Sequence, residues 1–146
     1  ANISNFVGSE NIKIDFSINE LGILMDKGNI YANMPFITLE TEKAFSVGDQ
    51  VISKENLDYM LDAKKYFEDK IAINITEIKY LQDAREVHLE SEKGFLVWLD
   101  IQEPYKVQID KLRNAIPKID VMGQPFEYID LRIKSANGQK IIYKPL

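Results

Sequence analysis

The chain has no cysteine and a single histidine among its 146 residues. Without cysteine there is no disulfide framework, no thiolate nucleophile and no sulfur-ligated zinc or iron–sulfur centre. The absence is also compatible with an oxidising location, where free thiols are a liability. His88 alone leaves a histidine–metal cluster without its second imidazole, and it brings no visible partner for a serine triad. The nucleophile elbow G-x-S-x-G, the P-loop and the dinucleotide fingerprint G-x-G-x-x-G are all missing. No run of 18 apolar residues exists to span a bilayer, and no signal-peptide pattern is present. The first residue is Ala1 rather than Met. A processed or excised form is therefore expected, with room upstream for a targeting or anchoring segment.

What is present fits one soluble globular domain: 45% hydrophobic and 28% charged residues. A domain of this length buries about 68–70% of its unfolded surface, so it needs neither a disulfide nor a metal to hold it. The net charge of −5 and the lack of a basic patch with interleaved aromatics argue against nucleic-acid binding.

Residues 1–8 are polar and weakly patterned and read as a frayed end. Ile12 to Ile18 alternates apolar and polar, the pattern of a half-buried strand. Leu21 to Met25 reads as a second strand, Asp26-Lys27-Gly28-Asn29 as a turn, and Ile30-Tyr31 as the returning strand, which Asn33-Met34-Pro35 breaks. Phe36 to Leu39 is a further extended piece. Ser53 is a helix N-cap, with Glu55 in the first turn where the dipole favours negative charge. Leu57, Met60, Leu61, Lys64 and Phe67 keep helical spacing to a stop at Glu68-Asp69-Lys70. Ile71 to Ile78 is β-branched and reads as a strand. Glu86 to Glu90 and Phe95 to Ile101 form a hairpin around Glu92-Lys93-Gly94. Pro104 starts a second helix whose buried side is Val107 or Ile109, with Leu112, Ala115 and Ile116; Pro117 stops it. Ile119 to Gly123 is a connector. Tyr128 to Ile133 and Gln139 to Tyr143 then form a hairpin around Asn137-Gly138, a turn pair suited to two positive φ angles. The order implies an α+β fold: a mostly antiparallel sheet, two helices on one side, and the C-terminal hairpin at the sheet edge.

Candidate chemistry is sparse. His88 is expected to be an ordinary exposed strand histidine. Glu40/Glu42 and Glu90/Glu92 are spaced to share strand faces, which allows paired carboxylates, although a solvated face is the simpler reading. Asp26-Lys27-Gly28-Asn29 lacks the remaining ligands of a calcium loop. Asn2-Ile3-Ser4 and Asn74-Ile75-Thr76 match the glycosylation pattern at little above chance. Trp98, mid-strand, reads as core or a sheet-face neighbour, with recognition as the sharper alternative. The final strand is apolar on both faces, with Ile141 and Tyr143 on one and Ile142 on the other. Either the sheet covers both, or an edge is left for a partner.

Four segments together resemble the extracytoplasmic β domain of the bacterial division family FtsQ/DivIB. Met25 to Tyr31 resembles its entry hairpin, and Met34-Pro35-Phe36-Ile37 its Leu-Pro-hydrophobic step. The helix, Ile75-Thr76-Glu77-Ile78 and the hairpin through Trp98 follow in the family's order. Tyr128-Ile129-Asp130-Leu131-Arg132 is similar to its Y-[IV]-D-[LV]-R signature, the most specific of the four, and Lys144-Pro145-Leu146 resembles the close of its last strand. Glu92-Lys93 stands before Gly94 where the family more often has Asp-Gly. The resemblance covers roughly residues 10–146. It divides the chain into residues 1–20, similar to the last strand of a preceding POTRA domain, and residues 21–146, the β domain.

The resemblance implies a non-catalytic, cofactor-free and metal-free scaffold on the extracytoplasmic side. A single N-terminal membrane helix outside this chain would anchor it. Its implied partners are the membrane-anchored FtsB/DivIC-like and FtsL-like proteins, joined by strand addition to the last β-strand. Carried over by position, the partner-binding residues are Ile133, Ser135, Gln139, Lys140, Ile141 and Tyr143. Ile133 stands where the family can have an aromatic. Two other readings remain: a generic α+β protein- or ligand-binding domain unrelated to division, and a small enzyme, which would need buried, pKa-shifted carboxylates in a cleft.

Overall fold

The computed structural model describes residues 2–7, 12–27, 35–118, 126–133 and 142–145. Strands β1 (Asn2–Val7), β2 (Ile12–Ile18), β3 (Leu24–Lys27) and β4 (Phe36–Glu40) precede helix α1 (Lys54–Ile71). Strands β5 (Ile75–Leu81), β6 (Glu86–Ser91) and β7 (Leu96–Asp100) follow, then helix α2 (Tyr105–Ala115) with a 3-10 turn at Ile116–Lys118. Strands β8 (Phe126–Asp130) and β9 (Ile142–Pro145) complete the sequence of elements. They form one sheet in the order β3-β2-β1-β4-β5-β6-β7-β8-β9. The fold is α+β and the sheet is mostly antiparallel. Only β1/β4, β4/β5 and β7/β8 pair in parallel.

The helices lie where the parallel pairs need crossovers: α1 joins β4 to β5, and α2 joins β7 to β8. The antiparallel β5-β6-β7 meander turns the chain twice, so β7 runs in the same sense as β4. Both crossovers therefore step the same way from strands of the same sense. With the right-handed connection that L-chains favour, both helices land on one face. There Leu57, Met60 and Phe67 of α1 and Ile109 and Leu112 of α2 meet Ile78, Val87, Leu89, Val97 and Ile129 of the sheet in one core. The helices also touch each other, with the Tyr59 and Tyr66 rings edge-on to Tyr105. The Tyr66 hydroxyl donates to the Asp110 carboxylate at 2.7 Å.

Ser53 caps α1 as its sequence position requires, accepting from the Asn56 N–H. Pro104 precedes α2 at its N-cap. The buried side of α2 includes Ile109, and Val107 is 60% exposed. The expected frayed end at residues 1–8 is instead corrected to β1, paired with both β2 and β4. Leu21–Met25 is not a strand throughout. The Asn19 side-chain oxygen accepts from the Leu21 and Ile23 N–H groups and turns the chain first, and β3 starts at Leu24. Gly22 sits in that turn at φ +80, where a Cβ would run into the Ile52 carbonyl oxygen. The expected turn at Gly28-Asn29, the strand at Ile30-Tyr31, the Asn33-Met34 break, the connector Ile119 to Gly123 and the Asn137-Gly138 turn lie outside the described residues.

The helix also outruns its expected stop. Ile71 continues the buried face set by Met60, Ala63 and Phe67, so burial carries the helix past Glu68-Asp69-Lys70. Ala72 then closes it in the left-handed region at φ 62, donating its N–H to the Glu68 carbonyl. The strand begins three residues later. Alanine bears a Cβ penalty of about 1–2 kcal/mol in that region, which glycine avoids at an entropic cost of about 0.4–1 kcal/mol. Ala72→Gly is therefore expected to raise the unfolding free energy by about 0.5–1 kcal/mol in urea denaturation; a loss of stability would contradict the cap assignment.

Candidate functional site

The sheet has two edges, and they are finished differently. On β3, the Leu24 N–H donates to the Asp49 carbonyl and its own carbonyl accepts from Gly48, while Ile23 bridges to Gln50. A loop therefore covers the start of that edge. On β9, Tyr128, Ile129 and Asp130 of β8 face Lys144, Tyr143 and Ile142 on the inner side. Among the described residues no strand pairs with the outer side.

Side chains of β9 alternate across the sheet. Tyr143 lies on the helix side, where its ring meets Phe126 edge-on at 5.4 Å, and Phe126 in turn meets Phe95. Ile142 takes the opposite face beside Asp130. Both are large apolar residues left in contact with water, Ile142 at 40% and Tyr143 at 42% exposure. Lys144 pairs with Glu127 at 3.0 Å, an exposed pair that contributes little to stability.

Of the residues expected to bind a partner, Tyr143 is on this edge and Ile133 is half-buried just beyond β8. The Ile133 carbonyl accepts from the Lys111 ammonium of α2 at 2.7 Å. Burial holds the Lys111 pKa below its ordinary value. Ser135, Gln139, Lys140 and Ile141 lie outside the described residues.

The helix-free face carries a second constellation. His88, Trp98 and Tyr128 stand on adjacent strands β6, β7 and β8 as a stack. The His88 and Trp98 centroids are 4.9 Å apart at 12°, and those of Trp98 and Tyr128 are 3.9 Å apart at 7°. The expectation that His88 is exposed is corrected: it is 8% exposed. The alternation does place it away from the helices, but the Trp98 ring covers one side and Glu86 engages its edge, Nε2 to Oε2 at 3.1 Å. Trp98 is the sheet-face neighbour that its mid-strand position suggested.

The other oxygen of Glu86 accepts from the Arg132 guanidinium. Arg132 also makes a fork to Asp130, Nε to Oδ1 and Nη2 to Oδ2, both at 2.9 Å. The Arg132 N–H donates to the same Asp130 carboxylate, and the Leu131 N–H donates to the Trp98 carbonyl. Burial pushes the Asp130 pKa up, but the Arg132 hydrogen bonds outweigh it and hold the carboxyl below its usual range. The exit of β8 is thus pinned from β6, β7 and α2 at once.

The i, i+2 glutamates fit the solvated-face reading at three of their four positions. Glu40, Glu42 and Glu92 are exposed, whereas Glu77 and Glu90 oppose each other across β5 and β6. Burial, and then the hydrogen bond with Glu77, push the Glu90 pKa up, and the Thr38 hydroxyl donates to Glu77. Among the described residues no group of three potential ligands is placed to hold a metal. No helix among them is long and apolar enough to cross a membrane. A scan against protein-family models finds no match, and a search of curated proteins finds none.

Two outcomes follow from the pinned exit and the stack. Arg132→Met should lower the unfolding free energy by about 1–3 kcal/mol, since it strips charged hydrogen bonds from Asp130 and Glu86; a variant as stable as the parent in urea would contradict this. Burial, partly offset by Glu86, holds the His88 pKa below its ordinary value. The unfolded chain therefore binds more protons in acid. The histidine's contribution is fully favourable above about pH 6.5 and is lost as pH falls through the depressed folded value. Trp98 is the only tryptophan. Its fluorescence should report this titration below about pH 6.5, and His88→Gln should remove the transition.

Proposed function

We propose that this chain is a non-catalytic scaffold domain that captures an extended segment of a partner along β9. The observation that carries the reading is the contrast between the edges: a loop covers the start of β3, while among the described residues no strand pairs with the outer side of β9, beside exposed Ile142 and Tyr143. A long apolar edge is a hazard that folds ordinarily blunt with charge, proline or a covering loop. Here Pro145 limits the edge to a few residues, which suits capture of one short strand. Backbone bonds of about 0.5–1.5 kcal/mol each cannot hold a partner alone, so anchoring falls to side chains, with Tyr143 over Phe126 on one face and Ile142 on the other.

The resemblance of Tyr128 to Arg132 and its flanking segments to the FtsQ/DivIB family gives this edge a context. The domain would work on the extracytoplasmic side of the cell membrane, held by an anchor outside this chain. Its partners would be FtsB/DivIC-like and FtsL-like division proteins of its own organism. The Asp130–Arg132 fork supports the reading in a structural way, because it makes the signature segment a rigid inner strand against which β9 is laid.

The test is affinity for a peptide from the extracytoplasmic end of the organism's own FtsB/DivIC-like protein. Tyr143→Ala is expected to weaken binding at least about tenfold, the loss of one anchor worth roughly 1.4 kcal/mol. Val107→Ala, on the exposed side of α2, should leave it unchanged. Equal affinities for the parent and Tyr143→Ala would exclude β9 as the docking edge.

A further inference from the structure

The helix-free face links a titratable ring to the segment that positions β9. Glu86 gives one carboxylate oxygen to His88 Nε2 at 3.1 Å and the other to the Arg132 guanidinium. Arg132 is the residue that closes the exit of β8, through Asp130 and its own N–H. The carboxylate of Glu86 is thus shared by a group of fixed positive charge and one whose charge depends on pH.

We propose that His88, Glu86 and Arg132 form an acid-sensitive latch on the β8–β9 edge. In the latched form a neutral His88 occupies one oxygen of Glu86 without competing for its charge. Protonation turns the imidazole into a second cation beside Arg132, drawn to the same carboxylate. Glu86 then shifts toward His88, Arg132 loses one of its two acidic partners, and the exit of β8 loosens. Among the described residues β9 pairs with β8 alone, so it loosens with that exit. His88 and Glu86 are positioning residues here, acting on the edge through Arg132.

Other charged groups face the ring. Lys79 of β5 is its cross-strand neighbour, Glu40 of β4 favours the protonated form, and Asp130 of β8 lies across Trp98. Glu90, two residues along β6, has its own pKa raised and titrates in acid as well. A pH effect is therefore assigned to the latch only if it disappears with His88. Burial opposes the protonated ring, which keeps the latch closed near neutrality.

The consequence for a partner rests on the reading of β9 as the docking edge, but the test is made on the free chain and so fails or succeeds apart from that reading. Amide hydrogen exchange of the β9 N–H groups that point inward to β8 is measured between about pH 8 and pH 5 and corrected for intrinsic chemistry. In the parent, protection should fall severalfold toward acid, because the protonated imidazole favours the unlatched arrangement over the latched one. In His88→Gln and in Glu86→Gln it should stay level across that range, with α1 amides equally protected in all three chains. A level profile in the parent, or an unchanged acid-dependent loss in both variants, would overturn the latch.

Discussion

The constraint on which the described fold depends is that both helices pack on one face of the sheet. The two crossovers step in the same direction from strands of the same sense, so α1 and α2 share a face and pack on the apolar core there. Among the described residues no helix covers the other face, and side chains finish it. Cross-strand stacking of His88, Trp98 and Tyr128 and the Glu86–Arg132–Asp130 network do that work. Such contacts depend on register. A one-residue slip between β6 and β7, or between β7 and β8, would exchange the two faces and remove both the core and the stack.

The same one-sidedness explains why the C-terminal edge is ordered and yet open. The exit of β8 is tied to β6 through Glu86, to β7 through the Trp98 carbonyl, and to α2 through Lys111. These ties lie inward of β9. They fix the strand against which β9 pairs while leaving the outer backbone of β9 unoccupied among the described residues. Rigidity and availability are in this way assigned to neighbouring strands, which reduces the ordering cost that a docking segment would otherwise carry.

Local chemistry was legible in the sequence wherever it was short-range. Ser53 announced α1 because a cap needs only the next few N–H groups. The turn at Glu92-Lys93-Gly94, the alternation of Glu86 to Glu90 and the apolar run of Phe95 to Ile101 gave β6 and β7. What was not legible depends on partners distant in the chain. Helix α1 overran its polar stop because Ile71 is buried by the sheet. His88 alternated as an outward residue, yet Trp98 and Glu86 cover it. The Glu86–Arg132 contact spans 46 positions, and only the β6-β7-β8 register brings its ends together. Glu77 and Glu90 form a carboxylate pair for the same reason, across two strands rather than along one.

The central claim is that β9 receives a partner backbone. Its most direct measurement is the set of interchain nuclear Overhauser contacts in a complex of this chain with the extracytoplasmic segment of its organism's FtsB/DivIC-like protein. Strand addition predicts a ladder of backbone proton contacts from the partner to residues 142–144, with the β8–β9 pairing retained. A complex whose contacts fall on the helices or on the Trp98 face, with the backbone of residues 142–144 unperturbed, would contradict it.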